Sequence, residues 1–237
     1  MAGRAAEPEV IWARRERTGR GPRPAYTRAD IAAAAVRIAD AEGLDAVSMR
    51  RVAAELGCGT MSLYNYVARK EDLHELMVDA VGGEHELWEP GGDWRADMLR
   101  VAHQTRALMH RHPWLPRLMS PVYGFSPNSL RFVEHCLACL DPLPVSYGTR
   151  MELIAMLNAV VTMYVGNELA TAERTRALPW SEEQENAVRA AYVGGRLASG
   201  AYPRLAAGIT ENPGPVDMEE VFERMLGRVL DGFDPGD

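Results

Sequence analysis

The segment GCGTMSLYNYV, Gly57 to Val67, sets hydroxyl, amide and apolar side chains side by side in a run too short to bury much surface. Read as a helix from Thr60, it puts Leu63 and Val67 four residues apart on one face, where they can pack inward. Thr60, Met61 and Tyr64 fall on the other faces and point outward. A DNA major groove offers hydrogen-bonding base edges and thymine methyls, a surface that mixed hydroxyl and apolar side chains suit. Ser62, Tyr66 and Lys70 stand where they can reach phosphates on either flank, contacts that position a reader without reporting sequence. The alternative is that Tyr64 and Tyr66 are partly buried aromatics of an ordinary helical hairpin.

Other chemistry-bearing groups are sparser. Cys136 and Cys139, with His135 beside them, form a lone CxxC whose i, i+3 spacing shares a helix face and could hold a soft metal or oxidise. Two cysteines so placed also serve as small buried hydrophobes. His110 and His112 flank Arg111 at a helix end, where imidazoles suit the C-terminal dipole. No HExxH, GxSxG or phosphate-loop motif occurs, so nothing supports an enzyme, and no metal site or cofactor is expected.

The elements that must position the reading segment are helical. Thr27 and Asp30 resemble a capping box ahead of an apolar stripe of Ile31, Ala34, Ala35, Ile38 and Ala41, and Gly43 suits a left-handed stop. The first helix is therefore expected over 27–42. Ser48 is a candidate N-cap for a second, ended at Gly57. Gly57-Cys58-Gly59 makes a tight turn, and the third helix is expected over 60–66. A fourth starts near Arg69 or Lys70 and stops at Gly82-Gly83. Two short helices across a glycine turn are a helix-turn-helix, whose second helix can enter the major groove. Further helices are expected over 93–111, 114–119, 127–140, 147–174, 181–199 and 216–231, with no strand signal between them. The fold class is all-α.

The 237-residue chain carries a net charge of −7, unevenly spread. Residues 1–70 balance at +4 and residues 71–237 at −11. Arg14, Arg15, Arg17, Arg20 and Arg23 crowd the start. This asymmetry suits a nucleic-acid-facing end on an acidic body, and equally a disordered basic tail. Three domains follow: a flexible basic arm over 1–26, a DNA-binding unit over 27–70, and a helical regulatory body over 71–237. The longest apolar run, Leu153 to Val165, is 13 residues with an asparagine inside, which predicts a core helix and no membrane span. Three cysteines and no secretory signal predict a cytoplasmic protein.

Thr27 to Val81 resembles the DNA-binding domain of the tetracycline-repressor (TetR) family. The Gly43-Leu44 break, the Ser48-Met49-Arg50-Arg51-Val52-Ala53 entry into the second helix, Leu63-Tyr64 and Lys70 carry the likeness together. The resemblance makes Arg50, Thr60, Met61 and Tyr64 base-facing and Ser48, Ser62, Tyr66 and Lys70 phosphate-facing. Asn65 replaces the bulky aromatic of the tetracycline repressor, so that repressor's operator does not transfer. The resemblance further implies a homodimer joined by a four-helix bundle, for which 147–174 and 216–231 are the candidates. Val221, Phe222, Met225, Leu226 and Val229 form a stripe suited to such a seam, or to an intrachain core. A short reading helix contacts few bases, which also argues for two half-sites on a palindromic operator.

The likeness continues through Asp93 to Ser120. In register with Trp94, the repressor's magnesium-binding histidine becomes Met119 and its drug-contacting asparagine Val101, so a tetracycline–magnesium effector is not expected. Thr105, Met109, Trp114, Met119, Tyr123, Phe132, His135, Asn158 and Thr162 are the pocket candidates, His135 by that register. The expected protein is a ligand-responsive repressor that a small molecule releases from DNA. The competing readings are a redox or metal switch using Cys136, Cys139 and His135, and a regulator controlled by a protein partner.

Overall fold

The computed structural model describes residues 11–13, 26–119, 125–211 and 217–235. Ten α-helices and no strand occur among them. The arm's arginines, Arg14 to Arg23, lie outside the described residues, as does Tyr123.

Helix α1, Arg28–Glu42, starts on the capping box expected of it: the Asp30 backbone N–H donates to Thr27 Oγ1, and the Thr27 N–H donates to the Asp30 carboxylate. It ends at Gly43, whose φ of +85° lies in the left-handed region that glycine enters without strain. Ile31, Ala34, Ala35 and Ile38 are buried, as their spacing predicts, whereas Ala41, expected on the same stripe, is exposed in the last turn. Helix α2, Met49–Glu55, is capped by Ser48, whose Oγ accepts from the Arg51 N–H. Helix α3 is shorter than its pattern suggests, Thr60–Leu63 rather than 60–66. Beyond Leu63 the bonding tightens: the N–H groups of Asn65 and Tyr66 reach back three residues, to Ser62 and Leu63. The chain therefore leaves α3 as a turn, and Val67 still folds under to be fully buried.

Helix α4, Lys70–Gly82, packs along α1 with Leu73, Leu76, Met77 and Val81 inward. The body follows as α5 (Trp94–Arg111), α6 (Pro127–Cys139), α7 (Tyr147–Ala177), α8 (Glu182–Ala198), α9 (Pro203–Glu211) and α10 (Met218–Asp231). The expected helix over 114–119 is a single 3-10 turn, Leu115–Arg117. Helix α9 has no counterpart in the sequence pattern, in which Pro203 reads as punctuation. Proline instead occupies the first helical position, where its missing N–H costs nothing.

Helix α7 is the spine, packed against α5, α6 and α10. At 31 residues it outruns its apolar stretch, and by length and composition alone it could cross a membrane. Leu153, Ile154, Leu157, Val161 and Val165 are instead buried inside the protein.

The expected seam on α10 divides in two. Phe222 and Leu226, with Leu230, are fully buried in their own chain, which packs α10 against α5 and α7. Val221, Met225 and Val229 are only half-buried on the adjoining face. The arm is likewise divided. Ile11–Ala13 forms a short 3-10 turn, with Ile11 fully buried and Trp12 packed against the core, so this part of 1–26 is anchored rather than free.

Candidate nucleic-acid interface and body cavity

Leu63 and Val67 are both buried and α3 packs against α2, which fixes which residues of the reading segment face out. Met61 is 78% exposed and Tyr64 46%, while Ser62, Asn65 and Lys70 are also at the surface. Thr60 and Tyr66 are half-buried. Arg50 is exposed, whereas its neighbour Arg51 is held by Glu42 at 2.6 Å and Glu55 at 3.1 Å. Of that adjacent pair, Arg50 alone is turned outward. The exposed Ser48 already uses its hydroxyl oxygen as the helix cap, leaving its O–H to donate elsewhere. From Leu56 to Lys70 there is no carboxylate, so nothing on the segment repels phosphate. Tyr26 closes the unit by donating its hydroxyl to the Leu56 carbonyl at 2.7 Å.

Beneath this unit lies a cavity of about 160 Å³. Val78 and Gly82 of α4 form one wall, Thr105, Leu108 and Met109 of α5 another, and Ser129, Phe132 and Val133 of α6 a third; His85, Leu115, Met119 and Asn158 complete it. His85 Nδ1 lies 3.1 Å from the Gly82 carbonyl, which only accepts, so that nitrogen carries the proton. Nε2 then accepts from the Thr105 hydroxyl at 3.4 Å. Burial pushes the His85 pKa down, keeping the ring neutral against Phe132, whose centroid is 4.4 Å away. Among the described residues, no carboxylate, lysine or arginine lines the cavity.

Five of the candidates named from the sequence, Thr105, Met109, Met119, Phe132 and Asn158, line this cavity. Three other candidates do not line this cavity. Trp114 is buried with its indole N–H donating to Asp40 at 2.7 Å, which turns it toward α1. His135 sits edge-on to Trp88 and lines an open groove with Leu87 and Leu130. Thr162 lies one turn beyond Asn158 along α7. His85 and Ser129 carry no signal in the sequence pattern. Gly82-Gly83 reads as a stop, and only the fold shows that the residues just past it turn in beneath α4.

Cys136 and Cys139 are fully buried, and burial pushes their thiols up to about 12 and about 11. Cys139 Sγ is 3.7 Å from His135 Nε2. Thiols held protonated and sealed from solvent are poor nucleophiles and poor metal ligands.

Two sets of contacts join the body to α1 and α4. Asp40 of α1 takes both the Trp114 N–H and His112 Nδ1, the latter at 2.8 Å. His112 Nε2 stands 3.2 Å from Glu84 but off the axis of a hydrogen bond. Asn128, opening α6, donates its backbone N–H to Asp79 of α4 at 2.7 Å and its side-chain amide to the same residue's carbonyl and carboxylate.

Known proteins share this arrangement. Residues 31–77 match the profile described as "Bacterial regulatory proteins, tetR family", and residues 88–235 match "Tetracyclin repressor-like, C-terminal domain". The HTH-type transcriptional repressor DrrR1 of Streptomyces coeruleorubidus is 37% identical over 95% of this chain and 84% of its own length. An HTH-type transcriptional regulator of Saccharopolyspora erythraea is 32% identical over 92% of this chain and 88% of its own. Among solved structures, the TetR family protein ActR of Streptomyces coelicolor in complex with actinorhodin superposes with a TM-score of 0.73 at 27% identity, covering 88% of this chain and 95% of ActR. The family's members are transcriptional regulators and not enzymes. The chain belongs to the TetR family of DNA-binding transcriptional regulators.

Proposed function

We propose that this regulator is a cytoplasmic repressor that binds a palindromic operator as a homodimer and leaves it when an uncharged, largely apolar small molecule fills the body cavity. One observation carries the reading: α4 packs along α1 on one side and supplies Val78 and Gly82 to the cavity wall on the other. An occupant cannot press on that wall without acting on the helix that carries the DNA-binding unit. A ligand shifts the balance only by its preference for the non-binding arrangement, and near-complete release needs on the order of 10³–10⁴-fold preference.

The cavity's chemistry narrows the effector. Neutral His85 has both ring nitrogens engaged, so the Thr105 and Ser129 hydroxyls and the Asn158 amide are the groups that offer hydrogen bonds without charge, and the rest of the lining is apolar. Met119 stands in the cavity as a thioether, which binds hard Mg²⁺ poorly, and buried Val101 has no polar group, so the effector is not tetracycline–magnesium. The likeness to ActR, solved in complex with actinorhodin, supports a small organic effector. Arg50, Thr60, Met61 and Tyr64 read bases, while Ser48, Ser62, Tyr66 and Lys70 hold phosphates.

The test is fluorescence anisotropy of the purified protein on DNA flanking its own gene, at fixed salt with unrelated DNA as competitor, followed by titration with anthraquinone, an uncharged aromatic, as first probe. Nanomolar, competitor-resistant binding that the probe reverses is expected. Binding that ordinary competitor DNA abolishes would refute the operator at that locus.

A further inference from the structure

Met61 is the most exposed large hydrophobic side chain among the described residues, and it stands in the middle of the face argued above to meet DNA. Its position follows from its neighbours: buried Leu63 and Val67 leave it no way inward. Thr60 and Ser62 flank it in sequence, and Tyr64 lies three residues on, so Met61 and Tyr64 share a ridge of α3. Hydroxyl and amide side chains on this face gain hydrogen bonds whichever base they meet. A thioether is at best a weak acceptor and gains mainly by leaving water. Base edges in the major groove present donors and acceptors, and the one apolar group that projects from them is the C5 methyl of thymine, where cytosine has only a flush C5–H.

We infer that Met61 is a thymine reader: each half-site of the operator holds a thymine whose C5 methyl packs against the Met61 side chain, and this contact fixes the base at that position. The inference rests on the DNA-reading role of α3 proposed above. Methionine's three rotatable bonds let its tip follow the methyl without strain. A methyl group buried against it is worth about fourfold in affinity per half-site, and on the order of tenfold when both half-sites carry the thymine.

Deoxyuridine gives the cleanest test, because it differs from thymidine only by the missing methyl and keeps every hydrogen-bonding group. The full-length protein would first select its site from a random DNA pool at physiological salt. Each thymine of that site would then be replaced in turn by deoxyuridine, symmetrically in both half-sites, and measured against wild type, Met61→Ala and Met61→Leu. The expected result is one symmetric thymine pair whose demethylation weakens wild-type and Met61→Leu binding about tenfold and leaves Met61→Ala unchanged. The exposed position lets both variants fold like the wild type, which their melting temperatures would check.

A selected site at which no demethylation matters, as when Met61 lies against a deoxyribose, would overturn the thymine contact and leave the reading role standing. A demethylation penalty that persists in Met61→Ala would transfer the contact to another residue and overturn the assignment. Failure to select any sequence would overturn the reading role itself.

Discussion

Neighbouring side chains of the reading segment do opposite work, and substitution should separate them. Leu63 is buried and holds the segment down, so Leu63→Ala is expected to cost about 2–5 kcal/mol of folding stability, read from urea unfolding, and to lose DNA binding with it. Tyr64, half-exposed, holds nothing in place; Tyr64→Ala should keep the unfolding midpoint and lose preference for the selected site over random DNA. A Tyr64→Ala protein that still discriminates would remove Tyr64 from the base-facing set. This division is legible in the sequence, because a spacing of four fixes which residues share a face. The part played by His85 is not, because it depends on where the chain goes after α4. Its titration gives a second prediction. Burial lowers the pKa of folded His85 below its ordinary 6.5, so as pH falls through 6.5 the unfolded chain takes up the proton first. His85 therefore contributes stability that is present above pH 6.5 and is lost as pH falls toward the depressed value. His85→Gln should flatten that part of the curve. The carboxylates of Asp30, Glu42 and Glu219, lowered by their hydrogen bonds to Thr27, Arg51 and Arg106, act in a separate window below pH 4.5.

Helix α4 packs on α1 and lines the cavity, so the proposed release would run through these two helices, and the joint at Asp40 tests this. Asp40 accepts from two side chains of the body, the Trp114 indole and the His112 ring. Asp40→Ala leaves both without that acceptor in a buried setting, at an expected cost of about 2–4 kcal/mol in urea unfolding. If the joint also transmits occupancy, the variant should bind ligand and DNA separately while the ligand releases DNA less completely. A variant of unchanged stability would make the joint incidental. At this scale the sequence pattern matches the body helices closely, because periodicity and caps agree along them. It fails where two signals compete. Pro203 reads as a break although it suits a first helical turn, and the residues after Leu63 look helical although their bonds tighten into a turn. Ile11 escapes because the apolar run around it, Val10 to Ala13, is too short to show a period.

At the scale of the whole molecule, several large apolar side chains among the described residues stand exposed. Met156, 49% exposed, and Met163, 55% exposed, lie on α7 with Ala155 and Ala159 between and beside them. Val221, Met225 and Val229 flank them in character on the half-open face of α10. No described residue of α8 or α9 is buried, though helices of their length are marginal in water without packing. Sequence could show these stripes but not their partners, since Phe222 and Val221 are adjacent, equally apolar, and differently placed: one in the core, one at its edge. A second copy of the chain, meeting α7 and α10 with the same two helices, would cover them and set two reading segments on one DNA. The joint substitution Met156→Glu and Met163→Glu puts two charges on that seam without touching the intrachain core. Sedimentation should show the wild type as a dimer and the variant as a folded monomer with its helical content kept. Its affinity for a symmetric site should fall by at least about a hundredfold, since a lone reader forfeits half the contacts, while binding to a single half-site should change little. A variant that remains dimeric would exclude α7 as the seam and direct attention to α8 and α9, the other helices whose apolar faces are open.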